Sequence, residues 1–136
     1  FDLTFENKKI SMNQVINIQY NKTGKLFAFC CECAGVIKNQ NLKKRKLLRD
    51  IGLDIGLLFQ TVDDLIDYRG DPKIVGKPTR RDKKKGKATL VNLLGYKKTL
   101  NFAKTLKKKI ISQTNKFGNK KNDLLDSVDF ILDREF

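Results

Sequence analysis

The sequence predicts an all-α bundle, and three observations carry that reading. Its two prolines, Pro72 and Pro78, fall in one short stretch, and proline is poorly tolerated inside a helix. Elsewhere the apolar residues recur mostly at spacings of three and four, which marks one face of a helix. Strictly alternating apolar and polar runs, the sign of a half-buried strand, are sparse.

Four helical regions follow in order. The first spans about Ser11 to Lys38, with Ser11 as N-cap and Gly24 as a kink or point of close contact. The second spans about Asn41 to Arg69, with Gly70 as its stop. In it Leu48, Ile51, Ile55, Leu58, Val62 and Leu65 are spaced 3, 4, 3, 4, 3, a continuous core-facing seam. Gly52 and Gly56 on this helix would let another helix approach closely. The third region covers about Ala88 to Lys116, with Gly95 as its expected division. The last runs from about Asn122 to Phe136, and its Leu124, Leu125, Val128, Ile131 and Leu132 form one apolar stripe.

Composition bounds the function. With 136 residues, 40% hydrophobic and 32% charged, the chain fits one globular domain or part of a larger one. Lys and Arg number 29 against 15 Asp and Glu, a net charge of +14, so an anionic partner is expected: phosphate, nucleic acid or a membrane surface. There is no His, which excludes His-based triads, bases and metal sites. Three Cys make no disulfide framework, and a reducing cytoplasm is the expected compartment. No apolar run approaches the roughly 20 residues that cross a bilayer; the best, Leu26 to Ile37, is short and broken by Glu32.

The second helix holds the clearest chemistry. At about 100° per residue, Gly56, Gln60, Asp63 and Asp67 fall within roughly 60° of arc, with Asp64 at the edge. Asp63–Asp64–Leu65–Ile66–Asp67 is a DDxxD cluster. Carboxylates so close repel one another, and they sit toward the negative end of the helix dipole. A cation would compensate, and a hard divalent ion with oxygen ligands is the best candidate. Mg²⁺ uses one or two carboxylates and completes its shell with phosphate and water. The following stretch, Asp71 to Lys87, carries Lys73, Lys77, Arg80, Arg81, Lys83, Lys84, Lys85 and Lys87 against Asp71 and Asp82. It reads as a basic loop able to close over phosphates. Taken singly, an acidic cluster and a basic loop are each also ordinary solvated surface, and the residues alone leave both readings open.

The motifs add up to a resemblance. Phe59–Gln60–Thr61–Val62–Asp63–Asp64–Leu65–Ile66–Asp67, then Gly70–Asp71–Pro72, Gly76–Lys77–Pro78, Asp82 and Gly86–Lys87–Ala88–Thr89, resemble the second aspartate-rich region of the trans-polyprenyl diphosphate synthases. Lys22–Thr23–Gly24 is similar to that family's Lys-Thr-Gly element. The likeness is nearest to the bacterial short-chain farnesyl type, and it runs from about Asp2 to Arg134. It implies an isoprenoid-synthase helical bundle, usually a homodimer. It implies that Asp63, Asp64 and Asp67 hold Mg²⁺ against an allylic diphosphate, with Asp63 the most direct ligand. Lys22, Lys77 and Lys87 would bind and neutralise that diphosphate. Thr23, Gln60 and Phe59 would line the site. The implied reaction is ionisation of dimethylallyl or geranyl diphosphate, condensation with isopentenyl diphosphate, and proton loss to give farnesyl diphosphate.

The family's first aspartate-rich motif is missing from these 136 residues. Residues 1–136 therefore resemble the C-terminal part of a single synthase domain, and the chain alone is expected not to catalyse condensation. Two other functions compete with a prenyltransferase. One is a basic helical nucleic-acid-binding module, which gains nothing from DDxxD and shows no aromatic stacking pattern. The other is a non-catalytic partner subunit of a synthase.

Cys30, Cys31 and Cys33 lack a fourth ligand for zinc and read as small buried hydrophobes. Phe27, Phe29 and Phe59 read as core or cavity wall. The runs Lys43–Lys46 and Lys104–Lys109 read as solvated helix faces.

Overall fold

A computed structural model describes residues 10–69 and 89–133. Gly70, the expected loop at 71–87, Ala88 and the end of the chain at Phe136 lie outside the described residues. The fold is all-α, with no strand among the described residues.

Ser11 opens α1 (Met12–Gln19) with a capping box: its hydroxyl accepts from the Gln14 amide at 3.3 Å, and its own amide donates to Gln14 Oε1 at 2.8 Å. The helix then widens into a π turn over Tyr20–Gly24 and continues as α2 (Lys25–Ile37). The expected kink at Gly24 is this π turn, so the first region is one rod with an inserted residue rather than a break. A tight reversal follows at Asn39, whose φ of 48° is left-handed. Asn41 Oδ1 then accepts from the Lys44 amide at 3.0 Å and caps α3 (Leu42–Arg69).

The central helix is α3. The π turn and α2 pack along one side of it and α5 (Tyr96–Thr114) along another. Of the expected seam, Ile51, Ile55, Leu58, Val62 and Leu65 are buried and Leu48 is half-buried at its outer end. Burial also reaches positions outside the seam: Asp54, Leu57, Gln60, Thr61, Asp64 and Asp67. A helix covered on several sides buries its polar face as well as its apolar one.

Thr89 caps the short α4 (Leu90–Leu94) through the Asn92 amide, 3.2 Å away. Gly95, at φ 80°, divides it from α5 (Tyr96–Thr114), as expected. The Thr99 hydroxyl donates to the Leu90 and Gly95 carbonyls at 3.1 and 3.0 Å and fixes that corner. A 3-10 stretch, Asn115–Lys121, leads into α6 (Asn122–Asp133). On α6, Val128 and Ile131 enter the core while Leu124 and Leu125 are half-buried; the Leu132 side chain lies outside the described ones.

Two expectations need correcting. Cys30 is exposed, and Cys31 and Cys33 are partly so. The reason is the face α2 turns to α3, which carries Phe27, Ala28 and Gly35; Cys30 and Cys33 lie elsewhere on the helix. Phe29 is 66% exposed for the same reason and is not core, although it lines an open hollow with Tyr20 and Leu53. Phe27, by contrast, packs on Phe59 with ring centroids 5.8 Å apart.

Candidate functional site

The first helical rod and α3 run antiparallel, and their contacts pair in strict order. Gly35 faces Leu48 and Arg45, Ala28 faces Gly52, and Gly24 faces Gly56. A Cβ on Gly52 would fall 2.5 Å from the Phe27 carbonyl oxygen, so the absence of a side chain there sets how near the two backbones lie. The same register carried onward brings Thr23 to Gln60 and Gln19 to Asp64.

These four side chains form one hydrogen-bonded row. The Thr23 hydroxyl donates to Gln60 Oε1 at 3.2 Å. Gln60 Nε2 donates to Asp64 Oδ1 at 3.1 Å, one helical turn along α3. Gln19 Nε2 donates to Asp64 Oδ2, also at 3.1 Å. The i, i+4 pair Gln19/Thr23 on one rod thus meets the i, i+4 pair Gln60/Asp64 on the other. Gln60 is buried, and Asp64 is 4% exposed. A carboxylate buried this deeply needs such donors, since an unpaired one is costly.

The other expected residues distribute around this row. Asp67, one turn further along α3, is buried, and Asp63 is partly exposed. Lys22 stands exposed in the π turn next to Thr23. Phe59 is half-buried beside Gln60. Lys77 and Lys87 lie outside the described residues. The described residues on either side of it pack together. Arg69 donates to the Tyr96 hydroxyl at 3.4 Å, Tyr68 stacks on Tyr96, and α4 packs against both α1 and α3.

The donor chemistry suits a magnesium ion in one respect and limits it in another. Among the described residues no three acidic groups converge into a metal cage. Mg²⁺ does not ask for one, because it takes one or two carboxylates and fills its shell with water and substrate phosphate. The DDxxD face of α3 fits an open, shared site of that kind.

Two polar groups escape a reading of the sequence. Gln19 lies three residues before Lys22 and carries no motif; only its i, i+4 relation to Thr23 hints at the shared face. Asp54 is buried on α3 and pairs with Lys109 of α5, whose Nζ lies 2.9 Å from Oδ1 and 2.7 Å from Oδ2. Only the Oδ1 contact has hydrogen-bond geometry; the other is held by charge. Burial works against the charged Lys109, but the hydrogen bond and charge of Asp54 outweigh it and raise the ammonium's pKa. Tyr20, which opens the π turn, joins this group: burial first and the Asp54 charge second push its phenol up.

Comparison with known proteins identifies the family. A family model described as polyprenyl synthetase matches residues 1–128. A farnesyl diphosphate synthase of Micrococcus luteus is 36% identical over 94 residues, covering 69% of this chain and 32% of the relative. A geranylgeranyl diphosphate synthase of Saccharolobus solfataricus is 36% identical over 120 residues, covering 88% and 34%. A Helicobacter pylori geranyltransferase, solved with magnesium and isoprenyl diphosphate, superposes with a TM-score of 0.79 at 30% identity, covering 97% of this chain and 43% of that one. The chain spans about a third of the length of these two curated relatives. Over the span it does cover, residues 1–128 carry the family pattern nearly end to end, and the chain belongs to the polyprenyl synthetase family.

Proposed function

We propose that this chain carries the second-aspartate side of the diphosphate site in a prenyltransferase. The substrates would be an allylic diphosphate, dimethylallyl or geranyl, and isopentenyl diphosphate, and the product farnesyl diphosphate. The observation that supports this most is the row Thr23–Gln60–Asp64–Gln19, in which the Lys-Thr-Gly element and the DDxxD motif meet through hydrogen bonds.

Asp63, Asp64 and Asp67 would hold Mg²⁺, with Asp63 the most direct ligand. When bound, that ion would neutralise the departing diphosphate. Lys22, Lys77 and Lys87 would supply further positive charge to the same group, and Thr23 and Gln60 would fix the polar wall beside the allylic carbon. Phe59 and Phe27 would exclude water from that wall. Charge placed in advance where a leaving group departs is worth about 3–4 kcal/mol per donor. The working enzyme would be a cytoplasmic homodimer, the state the resemblance implies. No described helix is long and apolar enough to cross a membrane.

The test is calorimetric titration of the chain with inorganic pyrophosphate, with Mg²⁺ and with a chelator. Binding should require Mg²⁺, be lost in Asp63→Asn and weaken in Lys77→Ala. Turnover of geranyl and isopentenyl diphosphates by these 136 residues alone is not expected. Binding to DNA that falls steeply with salt and ignores Mg²⁺ would instead favour a nucleic-acid module.

A further inference from the structure

Gln19 is 3% exposed and ends α1 where the π turn begins. Its side-chain nitrogen faces Asp64. Its side-chain oxygen is buried and accepts no hydrogen bond. The orientation is not arbitrary. An ionised carboxylate only accepts, so the amide nitrogen must face it and the oxygen must turn away. Gln60 obeys the same rule: its nitrogen faces Asp64 and its oxygen takes the Thr23 hydroxyl. The two glutamines thus do the same work on Asp64, but only Gln60 has its oxygen satisfied. Native proteins rarely leave a buried amide oxygen without a donor. The π turn that follows fits this picture, since such turns concentrate at functional sites.

We propose that Gln19 is a positioning residue of the diphosphate site, which fixes the Asp64 carboxylate and keeps its own carbonyl oxygen for a donor that arrives with the ligand, a water of the metal's shell. Held by Gln19 on one oxygen and Gln60 on the other, the Asp64 carboxylate does not have to be ordered when the cation arrives. Groups that orient a metal-binding carboxylate change metal affinity about 10–100-fold when removed. The inference rests on the function proposed above.

The experiment uses the whole chain, inorganic pyrophosphate and Mg²⁺, with Gln19→Leu, Gln19→His and Asp63→Asn. Three quantities are read: the Mg²⁺ concentration at half-saturation, the melting temperature without Mg²⁺, and the Gln19 side-chain amide signals in a ¹H–¹⁵N spectrum. Gln19→Leu should raise the Mg²⁺ requirement about tenfold. Gln19→His, whose ring can donate to Asp64, should recover most of it. In the wild type the Gln19 amide signals should move when Mg²⁺ and pyrophosphate are added together. An unchanged Mg²⁺ requirement in Gln19→Leu, or a loss of melting temperature with no change in that requirement, overturns the proposal. If Gln19→Leu does not fold, still Gln19 amide signals during Asp63-dependent binding overturn it equally. Absence of any Mg²⁺-dependent binding in the wild type would overturn the functional reading itself, and this proposal with it.

Discussion

Gly56 on α3 lies directly against Gly24 in the π turn: a methyl group on Gly56 would sit 2.6 Å from the Gly24 Cα and 3.0 Å from its amide nitrogen. Both neighbours are backbone, so neither can rotate aside. The contact seats the Lys22–Thr23–Gly24 segment on α3 one turn before Gln60. It therefore sets the distance across which Thr23 reaches its partner.

Gly56→Ala should push the π turn off α3 and cost about 1–3 kcal/mol, the usual range for overpacking. Gly24→Ala should cost less, because its nearest new neighbour is the Tyr20 ring at 3.0 Å, which can shift. Urea midpoints of the two variants check the order. Equal losses would mean that the rods separate as a unit rather than locally.

Lys109→Met should be more damaging than an exposed lysine suggests. It leaves Asp54 buried without its cation. A fully buried broken pair costs about 3–5 kcal/mol, and here about 2 kcal/mol is expected, because water reaches Lys109, whose side chain is 55% exposed. The double variant Asp54→Leu with Lys109→Met should recover much of the loss, as apolar replacements of buried pairs often do. Denaturant unfolding of the three chains measures it.

The helices were legible because their signals are local. The seam from Ile51 to Leu65, the Ser11 cap and the Gly95 break each follow from residues within one or two turns. The meeting of Thr23 with Gln60 was legible only through resemblance, since 37 residues separate them. Lys109 was not legible at all, and Gln19 only through its i, i+4 spacing from Thr23. A glutamine and one lysine among many acquire a role only when another helix places a carboxylate beside them. The cysteines failed for the converse reason: an apolar helix such as α2 reads as buried all round, and sequence alone does not say which of its faces is covered.

Stability should fall at alkaline pH. Tyr20 holds its proton more tightly in the fold, through burial and then the Asp54 charge. Lys109 does so because Asp54 outweighs the opposing effect of burial. Both pKa values are raised, so the fold binds these protons better than the unfolded chain does. That contribution is complete below about pH 10 and is lost as pH rises through the folded values. Melting temperature should hold steady from about pH 7 to 9 and drop above about 10. Tyr20→Phe should blunt the drop, and an unchanged profile would remove Tyr20 from the linkage.

Thiol labelling should separate Cys30 from Cys31. Cys30 is exposed and should react first with a maleimide. Cys31 should lag, since burial and then the neighbouring Cys30 push its thiol up and lower its thiolate fraction. Peptide mapping after brief labelling gives the order. Faster reaction at Cys31 would mean that α2 turns a different face outward in solution.

Gln60→Glu tests the row of hydrogen bonds through its charge. The new carboxylate keeps an acceptor for Thr23 but loses the donor to Asp64, which lies 3.1 Å from the present amide nitrogen. Two buried carboxylates so close do not both stay ionised, and one pKa must rise. A raised folded value means that the fold takes up a proton ahead of the unfolded chain, so stability should increase as pH falls from about 7 toward 5. At neutral pH the loss should be about 1–3 kcal/mol, the cost of a buried polar contact broken on one side. Gln60→Leu removes the same donor without adding charge, and its deficit should change less over that range. Mg²⁺ offers a second axis, because a cation drawn to the DDxxD face would offset the added charge and restore Gln60→Glu at neutral pH without helping Gln60→Leu. Melting curves of both variants across pH, with and without Mg²⁺, separate the two effects. Parallel pH profiles for the two variants would mean that residue 60 does not face Asp64 in solution.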